Sequence, residues 1–435
     1  MNREIDFISG NARKALWKMI MPLFVAMLLM LAYNLIDSIW IGNLLGENGY
    51  AALTTAGSVS ILLYAVTMGI GNGTSVVVSQ LVGAEDRKKT NTVISTVIVM
   101  SILFAAVVIV LLESFLEQIL LIFQTPGDIY ADAKSYLAIF LVGYVVIFVY
   151  MQLTSIYRSF GNPAFQMFGM LLGTVFNAIA DPLFIKWLGI SGAAIATVLS
   201  QVLCLVFAVI YGKKKAYFQV DLKGIHVRTV IWILNAVIPS CVQNCIPAIS
   251  SMIMVILVNR FDVTTIAAYG VVKNIENIMF YPAMAMNMAL ITIIGQLFGA
   301  KRYDRMKEYM KAALVDGVLL EAVLTGIVLL LSMQISMVFV KEPAVAVIAG
   351  RGLRIIGIGY LCYMATGIFT AKFAGLGRVN LSMFMMLLYY IVIRVPLAIV
   401  LIRSSFGLDG MWIAILISHL VALFIVMITD RILTY

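Results

Sequence analysis

Apolar residues in this chain come in runs of twenty or more, broken by short polar stretches, from near its start to near its end. A helix needs about 20 such residues to cross a hydrocarbon core about 30 Å thick. Twelve runs qualify, at roughly 16–42, 52–80, 92–112, 132–155, 165–187, 192–211, 229–258, 266–295, 309–332, 350–372, 380–402 and 410–430. The pattern predicts twelve transmembrane helices. The polar opening "MNREIDFISGNARKA" leads into a first run, Leu16 to Ile41, much longer than a signal-peptide core of about 7 to 15 residues. That run is therefore expected to stay as the first span.

The two halves repeat. "QLVGAEDRKK" at Gln80 returns as "QLFGAKRYDR" at Gln296, and "AAL" at Ala51 as "AAY" at Ala267, both 216 positions on; "GISGAAIATVLS" at Gly189 returns as "GLDGMWIAILIS" at Gly407, 218 on. Several anchors in register across two hundred residues mark an internal duplication. Six spans per half start both repeats on the same side, so the repeats are parallel, about an axis along the membrane normal. The predicted fold is an all-α integral membrane protein of twelve transmembrane helices in two six-helix lobes around a central cavity. The lobes are read as 1–211 and 229–435, joined by a cytoplasmic linker, 212–228, with the sequence "GKKKAYFQVDLKGIHVR".

Composition agrees with a bilayer: 63% of residues are hydrophobic and 12% charged, against about 25% charged in soluble domains. The net charge of +9 does not mark a nucleic-acid partner. Of the 30 lysines and arginines, 21 fall on one side of the spans, seven on the other, and Lys273 and Arg394 inside them. The positive-inside rule then makes both termini cytoplasmic, in a multi-pass protein of the plasma (inner) membrane. The cysteines, Cys204, Cys241, Cys245 and Cys362, lie within apolar segments, which predicts buried thiols and no disulfide framework. Cys241 and Cys245 share a helix face without a histidine or carboxylate, so no metal pair is expected. Two isolated histidines, no metal-ligand spacing and no nucleophile motif argue against an enzyme. A receptor or scaffold would call for a soluble domain or large loops, and none is seen.

The informative residues are acids inside spans, which cost about 2.5 to 3.5 kcal/mol at mid-bilayer and are functional candidates by default. Asp37 and Asp181 lie at similar depth on two outward-running spans, the first and fifth. Thr174, Asn177 and Asp181 form a polar stripe at i, i+3, i+7; Asn34 and Asp37 are three apart beside Tyr33, and Thr197 offers a hydroxyl from the sixth span. These are hard oxygen ligands suited to Na⁺, or a carboxylate pair able to hold a proton. A structural alternative is that Asp181, followed by Pro182, caps or kinks its helix while Asp37 faces headgroups.

Tyr33, Asn34, Met30, Met170, Thr174 and Glu276 are candidates to line a substrate pocket, methionine being soft enough to accept many shapes. In the second half, Lys273, Glu276, Arg394, Asp316 and Glu321 read first as an internal ion-pair network, with Glu276 alternatively part of a second cation or substrate site. Prolines interrupt five spans. Pro22, fifteen residues before Asp37, is the one best placed to couple protonation to helix bending.

"PLF" at Pro22, "GAEDRKK" and "GAKRYDR", "YRSFGNPAFQM" at Tyr157, "NAIADPLFI" at Asn177 and "GISGAAIATVLSQ" at Gly189 together resemble the multidrug and toxic compound extrusion (MATE) transporters, over nearly the whole chain. The resemblance implies a cation-coupled antiporter that exports organic cations and other amphiphiles by alternating access. It also implies that Asp37, Asn177, Asp181 and Thr197 hold the coupling ion, H⁺ or Na⁺, with no other cofactor, in a monomer. Some members carry acids on spans seven and ten; here both spans lack them, so that second ion site does not carry over. A flippase for a lipid-linked precursor, from the same superfamily, is the alternative; it would want several cations around its cavity, and only Lys273 and Arg394 are available.

Overall fold

The computed structural model describes residues 4–433, and among these the regular structure is helical throughout. The first helical run, Ala12–Gly83, is broken at Gly46, where φ is 70° and ψ −158°. A side chain there would meet its own backbone, so glycine is what lets the chain turn. The first span is thus 12–45 and the second 47–83. The others are Arg87–Ser114, Gly127–Ser159, Ala164–Leu188, Ile190–Lys215, Val227–Val258, Val263–Gly299, Tyr303–Leu330, Pro343–Gly375, Val379–Ile402 and Leu408–Ile432. All twelve predicted spans are present.

Short helices, Leu116–Ile122 and Ser332–Phe339, follow the third and ninth spans at equivalent points of the repeat. Hydropathy does not predict them, because seven or eight residues are too few to cross the core. Their symmetric placement strengthens the duplication. The eleventh span widens to a π-helix over Leu388–Arg394, a departure that frequently accompanies function. Large apolar side chains such as Leu103, Val107, Ile179, Trp187 and Val400 are exposed, as faces in contact with lipid require.

By contact the chain divides into two compact units: residues up to Asp6 with Met21–Cys241, and Phe7–Ile20 with the chain from Val242. The linker 212–228 is therefore a boundary of topology, whereas the seam in packing falls within the seventh span. The other seam, between Ile20 and Met21, adjoins Pro22, which has no N–H to give the Lys18 carbonyl.

The first unit is built on a core that includes Tyr136, Phe140, Tyr144 and Phe148 of the fourth span, with Ile41 and Ala56. Gly69 and Gly73 of the second span let its backbone close on residues 236–241, where an added Cβ would stand 2.5 and 2.6 Å from the Cα atoms of Cys241 and Val237. In the second unit Tyr269 stacks on Trp412 at 5.7 Å and the eighth and tenth spans pack together. There the segment Phe7–Ile20 is fastened by Arg13 and Trp17, both donating to the buried Asp316 carboxylate at 2.6–2.8 Å. No disulfide joins the four cysteines; Cys204 and Cys362 are buried as expected, but Cys241 and Cys245 are only half-buried.

Candidate functional site

Asp37 and Asp181 meet inside the first unit. Asp37 is 7% exposed, Asn177 and Asp181 are fully buried and Thr197 is 3% exposed, and the two carboxyls come within hydrogen-bonding reach of each other. The fifth span runs unbroken through Pro182, and Asn177 Nδ2 donates to Asp181 Oδ1 at 2.8 Å. Asp181 therefore does not cap a helix. One oxygen of each of the four side chains, Asp37 Oδ1, Asn177 Oδ1, Asp181 Oδ2 and Thr197 Oγ1, is buried with no hydrogen-bond partner.

Buried polar atoms are nearly always satisfied, and a lone one costs about 1–3 kcal/mol. Three unsatisfied acceptor oxygens and one unpartnered hydroxyl on four side chains, two of them acids in mutual reach, make a site shaped for a cation. A proton shared between the carboxyls, or an ion of Na⁺ size held by hard oxygens, removes the deficit. Two full negative charges with nothing between them do not.

A shell of phenols surrounds this cluster. The Tyr33 hydroxyl lies 2.9 Å from Ser200 Oγ, and since Ser200 donates to the Thr197 carbonyl at 2.7 Å, Tyr33 is the donor to Ser200. Tyr33, Tyr64 and Tyr136 all lie within electrostatic range of Asp37, and Tyr136 of Asp181 as well. Sequence reasoning missed Tyr64 and Tyr136. They come from the second and fourth spans, and nothing local distinguishes them from other tyrosines.

The remaining pocket candidates divide. Thr174 is buried with its hydroxyl engaged, donating to the Met170 carbonyl at 2.8 Å with the Leu29 carbonyl at 3.4 Å, so it ties the fifth span to the first. Met30 and Met170 are half-buried. Asn34 is exposed and does not join the buried cluster. Being four residues before Asp37 puts Tyr33 on the buried stripe, and the next residue turns away by about 100°.

In the second unit Lys273 Nζ pairs with Glu276 Oε2 at 3.0 Å, the expected ion pair. Arg394 lies within electrostatic range of Glu276, as the network reading expects, and is held by further partners. Its guanidinium donates to Ser418 Oγ at 3.0 Å and the Tyr389 hydroxyl at 2.8 Å, and lies 4.4 Å over the Tyr390 ring. Tyr389 in turn bonds His419, which is fully buried. Asp316 is taken by Arg13 and Trp17, leaving Glu321 without a partner.

Comparison with known proteins agrees with this architecture. The MatE family profile matches residues 22–183 and 239–400, once in each half. Relatives include the probable multidrug resistance protein YoeA of Bacillus subtilis (strain 168), 24% identical over 96% of this chain and 94% of its own, and the multidrug export protein MepA of Staphylococcus haemolyticus (strain JCSC1435), 25% identical over 97% and 94%. Among solved structures, a MOP-superfamily transporter from Pyrococcus furiosus is 22% identical with a TM-score of 0.91, covering 98% of this chain and 96% of that one. An outward-facing MATE-family transporter of the same superfamily is 22% identical with a TM-score of 0.92, covering 97% and 96%.

Proposed function

The chain belongs to the MATE family of membrane transporters, and from that premise we propose that it is an antiporter which exports organic cations and other amphiphiles in exchange for H⁺ or Na⁺ at Asp37 and Asp181. The observation that carries this reading is the set of four buried side-chain oxygens, on Asp37, Asn177, Asp181 and Thr197, that find no hydrogen-bond partner within the protein. The names of relatives, multidrug export and multidrug resistance proteins, support the substrate class.

The exchange works through charge. An ion entering from outside neutralises the carboxyl pair, the first span repacks about Pro22, and a cationic substrate loses the negative charge that held it. Occupation by one cation then excludes the other. Each net positive charge moved inward gains about 2.3 kcal/mol per 100 mV, enough for about fiftyfold accumulation, whereas a one-for-one exchange of monovalent cations moves no net charge and draws on the ion's concentration gradient. The protein acts in the plasma membrane with both termini cytoplasmic. Ethidium movement in everted membrane vesicles, with pH and Na⁺ gradients imposed separately, tests the proposal. Wild type should respond to one gradient and Asp37→Asn to neither; movement independent of both gradients in wild type would overturn it.

A further inference from the structure

Glu321 sits midway along the ninth span with no exposed surface, and neither of its carboxylate oxygens has a hydrogen-bond partner. Its surroundings are fixed by contacts a turn away on either side. A Cβ on Gly317 would lie 3.1–3.3 Å from Met286, Met364 and Ile368, and one on Gly357 would lie 2.6 Å from Leu329 and 3.6 Å from Thr325. Glu321, between them, faces the eighth and tenth spans. Tyr360, one turn beyond Gly357, is fully buried with an unpartnered hydroxyl, and it lies within electrostatic range of Glu321 and Glu276. Thr325, one turn along from Glu321, is 3% exposed and its hydroxyl is also unpartnered.

The internal repeat shows which of these features depart from the first half. Gly143–Tyr144 and Gly359–Tyr360 correspond, 216 positions apart. The Tyr144 hydroxyl is satisfied, 2.7 Å from Thr67 Oγ1 and donating to the Leu63 carbonyl at 3.1 Å. At the same offset Thr67 becomes Ala283, and the fully buried Ala105 becomes Glu321. The second half has thus lost the threonine that satisfies its tyrosine and gained an acid where alanine fills the equivalent slot. Packing supplies no reason for that exchange, and an unsolvated carboxylate is costly unless a cation neutralises it.

Protein charges nearby are otherwise engaged. Lys273, from the eighth span, pairs with Glu276; Arg394, from the eleventh, is held by Ser418 and Tyr389, with His419 of the twelfth against Tyr389; Tyr363 of the tenth stacks on Phe280 at 3.8 Å; Asp316, on the same helix as Glu321, is bonded to Arg13 and Trp17. We propose that Glu321, with the hydroxyls of Tyr360 and Thr325, forms a binding site for a monovalent cation, H⁺ or Na⁺, in the second half of the molecule. With H⁺ the carboxyl donates to a neighbouring hydroxyl; with Na⁺ the oxygens act as hard ligands.

The site can be tested without reliance on Asp37 and Asp181. Infrared difference spectra of purified protein carrying Asp37→Asn and Asp181→Asn, taken across a pH titration, should contain a protonated-carboxyl band that Glu321→Gln removes and Glu276→Gln retains. Tyr360→Phe should keep the band and move its midpoint by about one pH unit, the scale of one neutral hydrogen bond. If Na⁺ is the occupant, adding NaCl at fixed pH changes the carboxylate bands, and binding of radioactive sodium falls at least tenfold in Glu321→Gln. The same subtraction, wild type against Glu321→Gln, serves in the native background. Absence of both a carboxyl signal and sodium binding traceable to Glu321, with the variant melting like its parent, would overturn the proposal.

Discussion

Asp37 and Asp181 occupy positions where charge is expensive, so their replacement should separate stability from activity. Amides at both sites remove two buried acids that lack full hydrogen bonding, and each orphaned group costs about 1–3 kcal/mol. The Asp37→Asn, Asp181→Asn protein should melt no lower than wild type in detergent while losing at least tenfold in ethidium efflux. A large drop in melting temperature would instead mark the acids as structural. At this scale the sequence exposes its chemistry unevenly. Asp37 and the Asn177–Asp181 pair stand out because bilayer insertion penalises them, whereas Tyr64 and Tyr136 are ordinary tyrosines until four helices bring them together. Spacing alone does not separate Tyr33, on the buried stripe with Asp37, from Asn34, which is exposed.

Among elements, the first span carries the sharpest expectation. Pro22 leaves the Lys18 carbonyl without its helical donor, at the point where the chain passes from one compact unit to the other. Pro22→Ala restores the hydrogen bond, so the protein should melt higher and export several-fold more slowly, with cation binding at Asp37 and Asp181 unchanged; unaltered export would make the kink a matter of packing alone. The second span offers a contrast between glycines. Gly69→Ala pushes a methyl into the Cys241 backbone at 2.5 Å and should destabilise by about 1–3 kcal/mol, whereas Gly57→Ala meets nothing within 4 Å and should be neutral or stabilising by about 0.5–1 kcal/mol. Thermal melting of the two variants distinguishes them. All twelve spans were legible because each one needs its own run of apolar residues. The Leu116–Ile122 and Ser332–Phe339 helices and the π-helical turn at Arg394 were not, since they arise from packing and leave no mark in hydropathy.

For the whole molecule, duplication gives the architecture and its breaches mark the chemistry. The halves share spans and turn motifs, yet Asp37 corresponds by the 216-residue offset to Ile253 and Ala105 to Glu321, so each half carries acids the other lacks. The positive-inside rule predicts that the basic linker 212–228 is cytoplasmic: a cysteine introduced there, in a background lacking the four native thiols, should be labelled by a membrane-impermeant maleimide in everted vesicles and not in intact cells. Exchange between substrate and ion at one buried pair is the claim on which the rest depends. It is tested most directly by adding ethidium to purified protein in weak buffer and following the release of H⁺ with a pH dye, or of Na⁺ with a sodium electrode. Wild type should release one of these ions as ethidium binds, and the Asp37→Asn, Asp181→Asn protein neither; equal release from both proteins, or none from wild type while ethidium binds, would contradict the account.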